Sequence, residues 1–161
     1  MVLKQNCKVL SFLLIILFCC VSCQKYVVVN EPVNWFQALI NCKGVGLELA
    51  SVNSEEETKA LQKFLTDNGY KDGYWLAGTR LGNGDYYWAT TGTKIIYTDW
   101  LRGQPDNAKT EYNKYEGEYC IQLGMPTYSP EPNGWNDLGC NNPMPYICQA
   151  VQNCYGSNDV L

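Results

Sequence analysis

Not one of the 161 residues is histidine. That excludes the Ser/His/Asp and Cys/His nucleophilic systems, the commonest general base and the imidazole-bearing zinc sites. No glycine-rich loop of the phosphate-cradling kind occurs. Beyond Cys23 no two cysteines are spaced CxxC, so a Cys/His zinc centre is not expected. Basic residues number 12 against 16 acidic and never gather into a run, so nucleic acid is not an expected partner. There is no Asn-x-Ser/Thr acceptor for N-glycosylation. Only one long apolar run exists, Val9 to Val21 with Ser11 interrupting it, and it falls short of the roughly 20 residues a membrane span needs. No catalytic constellation emerges, and the chain is not expected to be an enzyme.

What is present begins with that run. Lys4 and Lys8 precede it and the small residues Ser22 and Cys23 follow, so residues 1–23 read as a signal peptide cut before Gln24. A signal anchor is the competing reading. The mature chain is expected to be secreted into an oxidising, extracellular space. Losing Lys4 and Lys8 leaves 10 basic against 16 acidic residues, a formal charge of −6 instead of −4. Three of the nine cysteines (Cys7, Cys19, Cys20) leave with the signal, and Cys23 stands at the cut. Cys42, Cys120, Cys140, Cys148 and Cys154 remain and are expected to form disulfides. Four cysteines allow three pairings, and spacing does not choose among them. With 46% apolar and 13% aromatic residues the chain can bury one core, so residues 24–151 are expected to be one domain and 152–161 a loose tail.

Trp35, Ala38, Leu39 and Cys42 recur at helical spacing, predicting a helix over 33–43 with Asn34 as N-cap and Gly44 or Gly46 as stop. Ser54 and Glu57 have capping-box spacing before Leu61, Phe64 and Leu65, predicting a second helix ended by Gly69. From Tyr70 the pattern turns to strands at Tyr74–Thr79, Tyr86–Ala89, Lys94–Thr98, an alternating segment around Ile121 and Leu123, Trp135–Leu138 and Pro145–Gln149. Gly82-Asn83-Gly84-Asp85 is a hairpin turn signal. A polar stretch from Gly103 to Glu118 exceeds an ordinary connection and is expected to be functional or mobile. Helices first, strands after, predict an α+β domain whose ends meet if the last strand returns beside the first.

Gln104, Asp106, Glu118, Asn136 and Asp137 offer three carboxylates and two amides in two loop regions. Hard cations such as calcium take six to eight oxygens of this kind, although loop Asp and Asn usually serve only turns. Here the motifs around them decide. Gln104-Pro105-Asp106, Glu118-Tyr119-Cys120 and Trp135-Asn136-Asp137 precede Cys140 and Cys148. With Tyr74-Trp75-Leu76-Ala77-Gly78 and the opening helix, they resemble the C-type lectin domain over about residues 24–150.

That resemblance implies a C-type lectin-like fold, two helices packed on short antiparallel sheets with a long calcium- and sugar-binding loop. It implies Cys42–Cys148 and Cys120–Cys140 disulfides, and calcium held by Gln104, Asp106, Glu118, Asn136 and Asp137 around a proline that is usually cis. Asp137 is also expected to offer its backbone carbonyl. The same five side chains would hydrogen-bond sugar hydroxyls that complete the coordination. The Gln-Pro-Asp order resembles galactose-type members. Tyr112 and Tyr115 are the candidates for packing on the sugar's apolar face, while Trp75 and Trp135 read as core. The expected partners are glycans or glycoproteins, in innate defence or in binding self glycoproteins. The competing reading is a secreted protein-binding module of the same fold without sugar binding. Cys154 is left over and could join two chains into a covalent dimer, or pair with Cys23 if that residue survives cleavage.

Overall fold

The computed structural model describes residues 25–111, 116–124 and 134–151. The order is β1 (Tyr26–Val33), α1 (Trp35–Gly44), β2 (Glu48–Leu49), α2 (Glu55–Asp67), β3 (Tyr74–Thr79), β4 (Tyr87–Trp88), β5 (Cys120–Leu123), β6 (Trp135–Leu138) and β7 (Met144–Gln149). This is the α+β architecture expected.

Both helices start where their caps place them. The Asn34 side chain accepts from Gln37 N at 2.8 Å, and Ser54 Oγ accepts from Glu57 N at 3.2 Å. The second half of the capping box differs from expectation. Glu57 reaches past Ser54 to Asn53 N at 2.8 Å, and its other oxygen takes Lys25 Nζ at 3.0 Å. The carboxylate sits where it ties α2 to the start of β1. Trp35, Ala38 and Cys42 form the buried stripe of α1; Thr58, Leu61 and Leu65 form that of α2. Gly69, at φ +73°, ends α2.

Instead of short antiparallel sheets there is one seven-stranded sheet, ordered β1-β7-β3-β5-β6, with β2 on β7 and β4 on β3. It is mixed, because β3 and β7 meet in parallel at Trp75 and Tyr146. The last strand does return beside the first, with Tyr26 opposite Gln149. Two further readings are corrected. Lys94–Thr98 is no strand: Lys94 makes one isolated bridge with Tyr87, Ile95 is buried, and Ile96 is 92% exposed. Its neighbour β4 is only two residues long and offers no ladder to extend. The Ile121/Leu123 segment is a strand but not an alternating one, because β5 lies between β3 and β6 and all four residues are buried.

Trp135 anchors the end of the core that carries the long loop. Trp88, Tyr97 and Trp100 stand edge-on around it with centroids 5.5, 6.0 and 5.6 Å away. Trp75 and Trp135 are both fully buried core residues, as expected. Cys42–Cys148 fastens α1 to β7, and Cys120–Cys140 fastens β5 to the turn after β6. In the loop-entropy account these contribute up to about 5 and about 3 kcal/mol.

Candidate functional site

Strand pairing sets one side of the site. In the β5–β6 ladder Ile121 faces Asp137 and Gln122 faces Asn136. Glu118 lies just ahead of β5. Backbone bonds from Leu101 N to Trp135 O (2.8 Å) and Gln104 N to Leu101 O (2.9 Å) launch the polar segment from the same strand. The Gln104–Pro105 peptide is cis, as the resemblance implied.

Asp106, Glu118 and Asp137 converge. Each offers a carboxylate oxygen, and all three lie within 4.8 Å of one another. Asp137 is wholly buried, Glu118 is 7% exposed and Asp106 is open to solvent. No ion pair joins any of the three to a described lysine or arginine. Backbone N–H groups hold them instead. Asp137 accepts from Asp106 N at 3.0 Å and Asn107 N at 2.9 Å. Ala108 N is shared by Asp106 Oδ1 and Glu118 Oε2, each at 3.2 Å. Behind Asp137 the Tyr86 hydroxyl donates to Oδ2 at 3.4 Å, and the Arg80 guanidinium lies over the Tyr86 ring.

The two amides sit on the same elements. Gln104 Oε1 accepts from Asp106 N at 3.1 Å. Asn136 is buried and donates to Gln122 Oε1 at 3.3 Å; Gln122 in turn donates to Gly124 O. Tyr112, Tyr115, Cys23, Cys154 and the signal segment lie outside the described residues.

Crowding leaves an electrostatic mark. Glu118 is pushed up to about 7 by burial first, then by Asp137 and Asp106, against the opposing Ala108 N–H. Asp137 is also raised, chiefly by burial, although the N–H groups of Asn107 and Asp106 pull it down. Such a cluster suits a hard divalent cation. The donors are all oxygen, and ligands at 2.3–2.6 Å from one ion are at most about 5 Å apart, which the observed separation meets.

Two residues that sequence reasoning passed over organise this loop. Asn107 adopts a left-handed φ of 50°, and its Oδ1 accepts from Glu118 N at 2.8 Å. It thereby clasps the outgoing arm of the loop to the returning one. Gly117, at φ +88°, is packed against that clasp: a Cβ there would lie 2.6 Å from Asn107 Oδ1 and 3.0 Å from the Tyr119 hydroxyl. The available signal was an asparagine after the acid of the Gln-Pro-Asp run and a glycine before the acid of Glu-Tyr-Cys.

The chain matches the family described as "Lectin C-type domain" over residues 31–150. It is 34% identical over 131 residues to C-type lectin 37Da of Drosophila melanogaster, covering 78% of this chain and 67% of that protein. Salivary C-type lectin 2 of Aedes albopictus is 32% identical over 137 residues, covering 81% and 85%. Among solved structures, the human scavenger receptor C-type lectin carbohydrate-recognition domain superposes with a TM-score of 0.65 at 24% identity, covering 79% of this chain and 90% of that one. This protein therefore belongs to the C-type lectin domain family, whose domains bind ligands and generally bind calcium.

Proposed function

We propose that this protein is an exported, calcium-dependent sugar-binding protein that prefers galactose-type sugars. The observation that carries the reading is the convergence of Asp106 and Glu118 of the long loop with Asp137 of β6, with Gln104 and Asn136 on the same segments. When bound, calcium supplies a Lewis-acidic centre with positions left for two sugar hydroxyls. Asp106 and Glu118 accept hydrogen bonds from those hydroxyls, whereas the Gln104 amide both donates and accepts. Asp137, behind them, holds the backbone of 106 and 107 and so keeps the other groups in register.

Both disulfides fit an oxidising compartment, and no described helix is long and apolar enough to cross a membrane. The protein-binding alternative is disfavoured because all five oxygen-donor positions are retained. Retention on a galactose resin with calcium and elution by chelator tests the sugar reading. Asp137→Ala should abolish both calcium binding and retention, and unchanged calcium affinity would remove the site. The amide–acid order is tested by Gln104→Glu with Asp106→Asn, which keeps net charge and ligand count. Calcium binding should survive while galactose loses about tenfold relative to mannose, the weight of one charge-assisted hydrogen bond. An unchanged ranking would move the choice to the loop from 107 to 117.

A further inference from the structure

Beside the 116–119 segment lies a concavity of about 480 Å³ whose lining includes Phe36, Leu81, Glu116, Tyr119, Asn141 and Asn142. That volume is in the range of small-ligand sites. Its walls are tied by backbone bonds rather than left to loose side chains. Trp35 N donates to Cys140 O at 2.9 Å, Arg80 N to Tyr119 O at 2.9 Å and Asn142 N to Gly139 O at 3.0 Å. Cys140, bonded to Cys120, forms part of the lining. Phe36 is held edge-on against Trp35 at 5.1 Å yet remains 49% exposed, and Leu81 is 45% exposed.

Scattered exposed apolar residues need no explanation, but these two share one cavity with a carboxylate and two amides. A wholly apolar ligand would strip water from Glu116, Asn141 and Asn142 without replacing its hydrogen bonds. A sugar ring meets both requirements, with a C–H face for Phe36 and Leu81 and hydroxyls for the carboxylate and amides. The cavity also touches the segment that carries Glu118, whose two chain neighbours Gly117 and Tyr119 both line it. Gly117 forms part of its wall, and the next Cα, about 3.8 Å on, belongs to Glu118.

We propose that this cavity is a subsite for a further sugar unit of a glycan whose terminal residue is held at Asp106, Glu118 and Asp137. The proposal rests on the sugar-binding reading above. It makes the protein a reader of oligosaccharides rather than of single sugars, with the cavity contributing through aromatic packing and amide contacts that need no cation.

Calorimetry with calcium present tests it, using methyl galactoside and methyl mannoside against galactose- and mannose-terminated trisaccharides, on the wild type, Phe36→Ala and Asn141→Ala. A trisaccharide should bind about five- to tenfold more tightly than its monosaccharide. That advantage should vanish in Phe36→Ala and shrink in Asn141→Ala, while monosaccharide and calcium affinities stay unchanged. If monosaccharides bind but trisaccharides gain nothing, or the gain survives in Phe36→Ala, the subsite is overturned and the lectin reading stands. If no sugar binds to calcium-loaded protein, both fall. If Phe36→Ala alters only self-association in sedimentation, the cavity belongs to a second copy of the chain and the proposal fails.

Discussion

Changing Asn107 to Gly separates the clasp from the ligands it aligns. Glycine adopts the native φ of 50° without strain, so the substitution removes only the amide. Glu118 N then loses its acceptor at 2.8 Å, in a residue that is 7% exposed. Losing a partner for a buried donor costs about 1–1.5 kcal/mol, or close to tenfold in an equilibrium constant. Because Glu118 is a proposed ligand, that loss should fall on cation binding, weakening calcium about tenfold by calorimetry while far-UV dichroism stays native. Gly117→Ala attacks the same clasp from the other side, because its Cβ would meet Asn107 Oδ1 at 2.6 Å. It should weaken calcium by at least as much, with added left-handed backbone strain of about 1–2 kcal/mol. The double variant should be no worse than Gly117→Ala alone, since both remove one interaction. Wild-type calcium affinity in Asn107→Gly, or fully additive losses in the pair, would refute the clasp.

Stability should depend on pH in opposite senses with and without calcium. In cation-free protein the Glu118 carboxyl titrates near 7, above its ordinary 4.5, so its contribution is complete below pH 4.5 and lost as pH rises through 7. This is worth up to about 3 kcal/mol before solvent screening. Thermal unfolding in chelator should therefore give a Tm that falls between pH 4.5 and 7. In saturating calcium the trend should reverse, because protons compete with the ion for Glu118; parallel curves would reject the assignment. Trp135→Ala should destabilise by about 3–5 kcal/mol in denaturant melts, since it empties the centre of the Trp88–Tyr97–Trp100 cluster. A cost under 1 kcal/mol would show that the ring is not the anchor described.

Much of the fold was readable where a local rule acts on neighbouring residues. Asn34 and Ser54 cap the helices they announce, and Tyr74–Thr79 and Trp135–Leu138 are strands as patterned. The carboxylates were found because three short motifs recur in family order, not because spacing implies convergence. Less legible was whatever depends on a partner distant in the chain. The two-residue β2 exists only because Leu49 meets Cys148. Lys94–Thr98 reads as a strand but finds no ladder, and Glu57 passes over the cap donor to take Asn53 N and Lys25, which stands just ahead of β1. Asn107 and Gly117 are ten positions apart, and their contact forms only once the loop closes.

The Cys42–Cys148 bond has a mechanical consequence. Lys25 O accepts from Ala150 N at 3.0 Å, so the described domain is entered and left at one place, through adjacent antiparallel strands. Tension on those two ends peels β1 from β7 pair by pair, but on the β7 side it meets Cys148 after Gln149. The bond there closes a sequence separation of 106 residues, inside which every proposed ligand from Gln104 to Asp137 lies. Force carried along the chain is shunted through the sulfur atoms and never reaches the carboxylate loop. In a copy tethered by both ends the load runs through residues 25–42, the sulfur bridge and residues 148–151, while the covalent segment from 43 to 147 bears none of it.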